Sequence, residues 1–157
     1  EGSRLTDVTE NFACFGIFGP KSRSLLSEIF GDEFKKDKFK FGKGKLLKFK
    51  NVEIWFQRLS FVGELGWELY VPINESKTIY EIIQDIGQNH NLVNAGRLSM
   101  DIMRMEKGYL HWGHDISPAE NPYDAGLDFA VKLDKQIDFI GKKSLISAKL
   151  NRKKQLP

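Results

Sequence analysis

Strand-like and helix-like runs follow one another in a single order along this 157-residue chain, and that order limits the architectures open to it. Residues 13–18 read as a short buried strand. Gly19-Pro20 then opens a helix, where the missing proline N–H costs nothing. Leu25, Leu26, Ile29 and Phe30 form its apolar face, and Gly31 ends it. Residues 46–49 and 52–61 read as strands around a Lys50-Asn51 turn, and 67–71 as another, stopped by Pro72. Residues 74–88 read as a helix with Ile79, Ile82, Ile83 and Ile86 at core spacing. Residues 97–107 read as a second helix with Leu98, Ile102 and Met105 turned inward and Gly108 just past its end. A last strand is expected at 129–133 and a short helix at 141–150. The order predicts an α+β fold, with helices on one face of a mainly antiparallel sheet in a ferredoxin-like arrangement.

Composition narrows the function. Hydrophobic residues make up 41%, enough for a single domain over 1–157 with a real core. No apolar run approaches the ~20 residues that span a bilayer. No basic-then-apolar leader opens the sequence, so a cytoplasmic, reducing compartment is the expectation. Cys14, flanked by Phe12, Phe15 and Ile17, has no internal disulfide partner and is expected to be a small buried residue. A net charge of +3 does not call for a polyanionic partner.

The candidate site begins at Glu64, in the run Phe61-Val62-Gly63-Glu64-Leu65-Gly66-Trp67-Glu68-Leu69. Gly63 and Gly66 carry no Cβ, so they allow φ > 0 and close approach of a backbone or a flat ligand. Two readings stand: a hairpin turn that happens to hold an acid, or a carboxylate offered to a planar molecule with paired N–H donors. A second candidate is the helix face of Arg97, Asp101 and Arg104, spaced i, i+4, i+7. A third is the loop after Tyr109, with His111, His114 and Asp115. It has no third metal ligand in register, so it reads as a packing or ligand-lining loop. Residues 33–50 hold eight lysines among Phe39, Phe41 and Phe49. Such a strand could stack nucleic-acid bases, or it could be a solvated edge that discourages strand pairing; nucleic acid is the lesser expectation.

The ordered set of segments resembles one family. Its carriers are Asp7-Val8-Thr9, Gly19-Pro20-Lys21-Ser22-Arg23, the run from Arg58 to Leu69, and Asp101 with Arg104-Met105-Glu106-Lys107-Gly108. They continue with His111-Trp112-Gly113-His114-Asp115, Ala125-Gly126-Leu127, Phe129-Ala130-Val131-Lys132 and Phe139-Ile140-Gly141. Together they resemble the middle of the folate-binding aminomethyltransferase region, shared by the glycine cleavage T-protein and by dimethylglycine and sarcosine dehydrogenases. Leu65, and Met100 before Asp101, favour the dehydrogenase branch, since the T-protein usually has aspartate and arginine there. Phe61 stands where the family often has tyrosine. The resemblance implies tetrahydrofolate as cofactor and Glu64 as pterin anchor, with Arg58, Trp67 and Arg104 as supports. It implies no catalytic residue within this chain, because no acid here matches the family's upstream aspartate. It places flavin in an upstream domain and a β-barrel downstream, so the expected partners are folate and a missing N-terminal half or partner subunit.

Overall fold

The structure is a computed structural model that describes residues 2–151. It forms two compact units, dividing between Lys107 and Gly108. The first holds β1 (Phe12–Phe18), α1 (Ser22–Phe30), β2 (Gly44–Phe49), β3 (Val52–Gln57), β4 (Gly66–Pro72), α2 (Ser76–Gly87) and α3 (Arg97–Glu106). The second holds a 3₁₀ turn, Asp128–Ala130, and α4 (Lys142–Leu150).

The sheet has four strands in the order β1-β4-β3-β2, and every neighbouring pair is antiparallel. The α+β class and antiparallel sheet are those expected. Strands β2, β3 and β4 form a meander, and β1 lies beside β4. The register sets Ile17 beside Trp67, Phe15 beside Leu69 and Ala13 beside Val71, all on one face. That face, with Ile54 and Phe56 of β3, packs against Leu25, Leu26 and Ile29 of α1 and Ile79 and Ile83 of α2. Each such buried side chain contributes roughly 1.5–3 kcal/mol.

The middle of this core is aromatic. A 3₁₀ turn, Asp32–Phe34, follows Gly31 and drops Phe34 inward. Phe34 lies with ring centroids 5.0 Å from Phe56, 5.5 Å from Phe39, 5.6 Å from Trp67 and 6.1 Å from Phe30. Phe34, Phe39, Phe56 and Trp67 have no exposed surface. Arg23 and Arg58 donate to the carbonyls of Phe34 and Phe39 at 2.6 Å, pinning the intervening polar segment over the core.

The opposite sheet face is open to solvent in part. The Phe18 ring lies flat on Gly16 and Gly66, where a Cβ would collide with it, and the Trp55 ring covers Gly44 in the same way. Tyr70 on this face donates to Glu68 Oε2 at 2.8 Å. That hydrogen bond, with burial, pushes the Tyr70 phenol up to about 12. The unfolded phenol ionises near 10, so between about pH 10 and 12 only the unfolded chain loses this proton, and stability falls as pH rises. Thermal melts should therefore show a smaller loss over that window in Tyr70→Phe than in the parent; equal slopes would contradict the assignment.

Several sequence expectations are corrected. Cys14 is exposed, because its position in β1 turns it to the open face. Strand β3 stops at Gln57, four residues short of the expected end, and residues 58–65 form the connection to β4. The expected strand at 129–133 is replaced by the 3₁₀ turn Asp128–Ala130. Helix α3 presents the opposite face from that expected: Leu98 is 79%, Ile102 54% and Met105 55% exposed, while Arg104 is 2% exposed. Spacing identified a shared face but not its direction. The Arg104 guanidinium can lie inside because Asp101 Oδ1 accepts from its Nε at 3.3 Å.

Candidate functional site

The connection from β3 to β4 carries Glu64, and the first unit fixes it from two sides. Leu65 carbonyl accepts from Gly19 N–H at 2.8 Å and from Ser22 Oγ at 3.0 Å, tying the turn to the start of α1. On the other side, Lys107, just past α3, places its ammonium 3.0 Å from Glu64 Oε1. The Lys107 stem runs across Gly63, where φ is 73° and a Cβ would overlap Lys107 Cγ. Gly66 meets the second expectation differently: its missing Cβ is where Phe18 packs, without a positive φ. Glu64 keeps a third of its side chain accessible (33%), so the carboxylate is reachable from solvent.

Gly63→Ala should cost about 1–2 kcal/mol from the left-handed backbone alone, and it should also push Lys107 off Glu64. Chemical denaturation measures the first effect. A stability within ~0.3 kcal/mol of the parent would contradict this geometry.

The other expected residues fall into different surroundings. Trp67 has no exposed surface and belongs to the aromatic core. Two guanidiniums flank its ring, Arg23 at 5.2 Å and Arg58 at 5.5 Å from the centroid. Burial, then the neighbouring Arg23 charge, lowers the Arg58 pKa from its usual value. The structure thus brings Arg58 and Trp67 together as a buttress for the Phe34–Phe39 segment. Arg104 pairs with Asp101 on the buried face of α3, one turn before Lys107. Lys107 is the residue that composition and spacing did not single out; only proximity to Glu64 in the fold reveals it. Two buried polar atoms near this turn, Ser60 Oγ and Trp67 Nε1, have no hydrogen-bond partner. Ser60, four residues before Glu64, is the one of the two outside the strands.

The lysine-rich strand does not form a base-stacking platform. Phe39 is in the core and Phe49 packs edge-on against Phe30 at 4.9 Å, leaving Phe41 as the exposed ring of the three. Lys45 is held by Glu33 at 2.6 Å and Lys35 by Asp32 at 2.8 Å.

In the second unit, the His111 N–H donates to Asp115 Oδ2 at 2.7 Å, and His114 Nδ1 lies 3.0 Å from Asp115 Oδ1. The two imidazoles stack at 5.9 Å. Residues 113–126 are built from local turns, in which Glu120 accepts from Ser117 N–H and Oγ, each at 2.7 Å. The Ser117 hydroxyl, then its N–H, lowers the Glu120 pKa. Among the described residues no group of three potential ligands could hold a metal.

Residues 2–135 match the GCVT N-terminal domain family. The chain is 38% identical to human mitochondrial sarcosine dehydrogenase and 37% identical to human mitochondrial dimethylglycine dehydrogenase, in each case over 90% of its own length and 16% of theirs. It is 32% identical to an aminomethyltransferase from Halothermothrix orenii, over 94% of this chain and 40% of that protein. The chain therefore spans about a sixth of the dehydrogenases' length. The cytoplasmic expectation does not stand, because both human relatives are mitochondrial by name. A lone cysteine argues for a reducing compartment and cannot tell one such compartment from another. With a family match that covers residues 2–135, most of its length, the chain belongs to the GCVT N-terminal domain family.

Proposed function

We propose that this chain is the tetrahydrofolate-binding portion of an aminomethyltransferase-like or dimethylglycine/sarcosine-dehydrogenase-like enzyme, in which folate accepts a one-carbon unit. The observation that carries the reading is Glu64: an accessible carboxylate on a turn held by Lys107 and by the Leu65 anchors. The pyrimidine edge of a pterin offers an amino group and a ring N–H side by side. A carboxylate accepts both in a bidentate, charge-assisted pair. The family match and the aminomethyltransferase relative support the reading.

In this proposal Glu64 holds the pterin and Lys107 orients the carboxylate. Arg58 and Trp67 support the turn through the core beneath it, and Arg104 supports it through α3. Folate supplies the nitrogen that receives the one-carbon unit; the chain's own residues bind and orient it. The far longer dehydrogenase relatives favour a larger protein context, in which further polypeptide completes the active site. A mitochondrial location goes with the dehydrogenase branch.

Fragments of folate test the assignment. A 2-amino-4-oxopteridine should compete with tetrahydrofolate for the chain in a fluorescence titration, and p-aminobenzoylglutamate alone should compete at least tenfold less well. The opposite ranking, or no saturable binding of tetrahydrofolate, would remove the pterin from Glu64.

A further inference from the structure

A groove of about 560 Å³ in the first unit runs along β1 and shares Phe61 and Val62 with the connection that carries Glu64. It is lined by Phe15 and Ile17 from one face of β1 and by Cys14, Gly16 and Phe18 from the other, so it follows the strand's edge and not one face. Its far wall is the segment from Leu92 to Ala95 with Met100 of α3.

The backbone of that edge is oriented by the ladder. Gly19 N–H donates to Leu65 carbonyl at 2.8 Å, which makes 19 and 65 a hydrogen-bonded pair. Hydrogen-bonded and open pairs alternate in antiparallel ladders. The exchanging pairs are then Ile17/Trp67, Phe15/Leu69 and Ala13/Val71. Cys14, Gly16 and Phe18 therefore turn their N–H and C=O groups to the other edge, where no strand lies among the described residues. A row of alternating donors and acceptors beside apolar walls matches another extended backbone; a small apolar molecule would leave these groups unpaired. Charge selects the occupant further. Glu68 is the sole charged residue lining the groove, in a chain with 24 lysines and arginines. A second copy of β1 would bring no cation, since residues 12–18 hold none.

We propose that this groove docks an extended polypeptide segment from outside the chain, which adds to β1 as a fifth strand and reaches a basic side chain across Gly16 toward Glu68, its partner on β4. The proposal does not rest on the folate reading, although the groove borders the Glu64 connection through Phe61 and Val62.

The probe is a nine-residue capped peptide alternating threonine and valine with one central lysine. Saturable binding should slow amide exchange at Cys14, Gly16 and Phe18 at least tenfold. The same peptide N-methylated on its bonding edge should bind at least tenfold more weakly. A central glutamate should weaken binding likewise, and Glu68→Gln should erase the lysine–glutamate difference. Cys14→Pro removes an outward N–H and leaves the inner ladder intact, so it should melt as a folded protein yet lose affinity. Unchanged exchange at the three amides, or equal binding of the N-methylated peptide, overturns the proposal. Protection that appears with protein concentration alone would make the occupant a second copy, and protection by tetrahydrofolate alone would make it a small ligand; either overturns it too.

Discussion

Phe34→Ala should lower the unfolding free energy by about 3–5 kcal/mol, the range for removing a fully buried aromatic ring. Phe34 is the hub of the aromatic core, meeting Phe30, Phe39, Phe56 and Trp67. No single neighbour can swing in to fill its place, because each is held in its own edge-to-face or tilted contact and the interior is close-packed. A domain of ordinary stability has only about 5–15 kcal/mol in total. The variant should therefore be folded marginally at room temperature. Urea denaturation checks this, with Phe41→Ala as the comparison: Phe41 is 71% exposed, and its loss should cost under ~0.5 kcal/mol. Similar midpoints for the two variants would contradict the placement of Phe34.

The second large effect is on ligand affinity. Glu64→Gln should weaken tetrahydrofolate binding by about 1–3 kcal/mol, or roughly 5- to 150-fold. Glutamine keeps the shape of the side chain but offers one acceptor oxygen and turns an NH₂ toward the pterin's second donor. It also forfeits the charge that Lys107 pairs with at 3.0 Å, which would free that lysine. Fold stability should change little, since the Glu64–Lys107 pair is partly exposed and such pairs are worth at most about 1 kcal/mol. Equilibrium dialysis against tetrahydrofolate measures the ratio of dissociation constants. Equal constants for parent and variant would exclude Glu64 from the site.

Much of this molecule was legible in its sequence, for identifiable reasons. Helix α1 announced itself because Gly19-Pro20 and Gly31 bracket an apolar stripe, and Gly31 takes φ 91° at its end. The Lys50-Asn51 turn was legible between two strand-like runs, and Lys50 takes φ 53° there. The glycines around Glu64 likewise signalled close approach. What approaches them, the Lys107 stem at Gly63 and the Phe18 ring at Gly66, depends on contacts between segments distant in sequence and could not be read locally.

The misreadings share that cause. Phe34 and Phe39 sit five apart in a lysine-rich stretch with no period of either kind, so nothing local marks them as the centre of the core. Leu98, Ile102 and Met105 define a helix stripe, but periodicity reports a shared face and not what that face meets. Arg104 lies on the buried side because Asp101 accepts its hydrogen bond, a compensation visible only in three dimensions. Trp67 was expected as a support for the pterin anchor, with no direction given to its ring. Strand alternation points it to the core face, with Leu69 and Val71.

The central claim, that the Glu64 carboxylate grips the pterin, is tested most directly by watching that carboxylate. In protein labelled with ¹³C at glutamate side-chain carboxyls, with the Glu64 signal assigned by its loss in Glu64→Gln, tetrahydrofolate should shift the Glu64 resonance along a saturable curve. The fragment 2-amino-4-oxopteridine should shift it the same way, while Glu53, exposed on β3, stays put. Saturable binding of tetrahydrofolate with the Glu64 resonance unmoved would contradict the account.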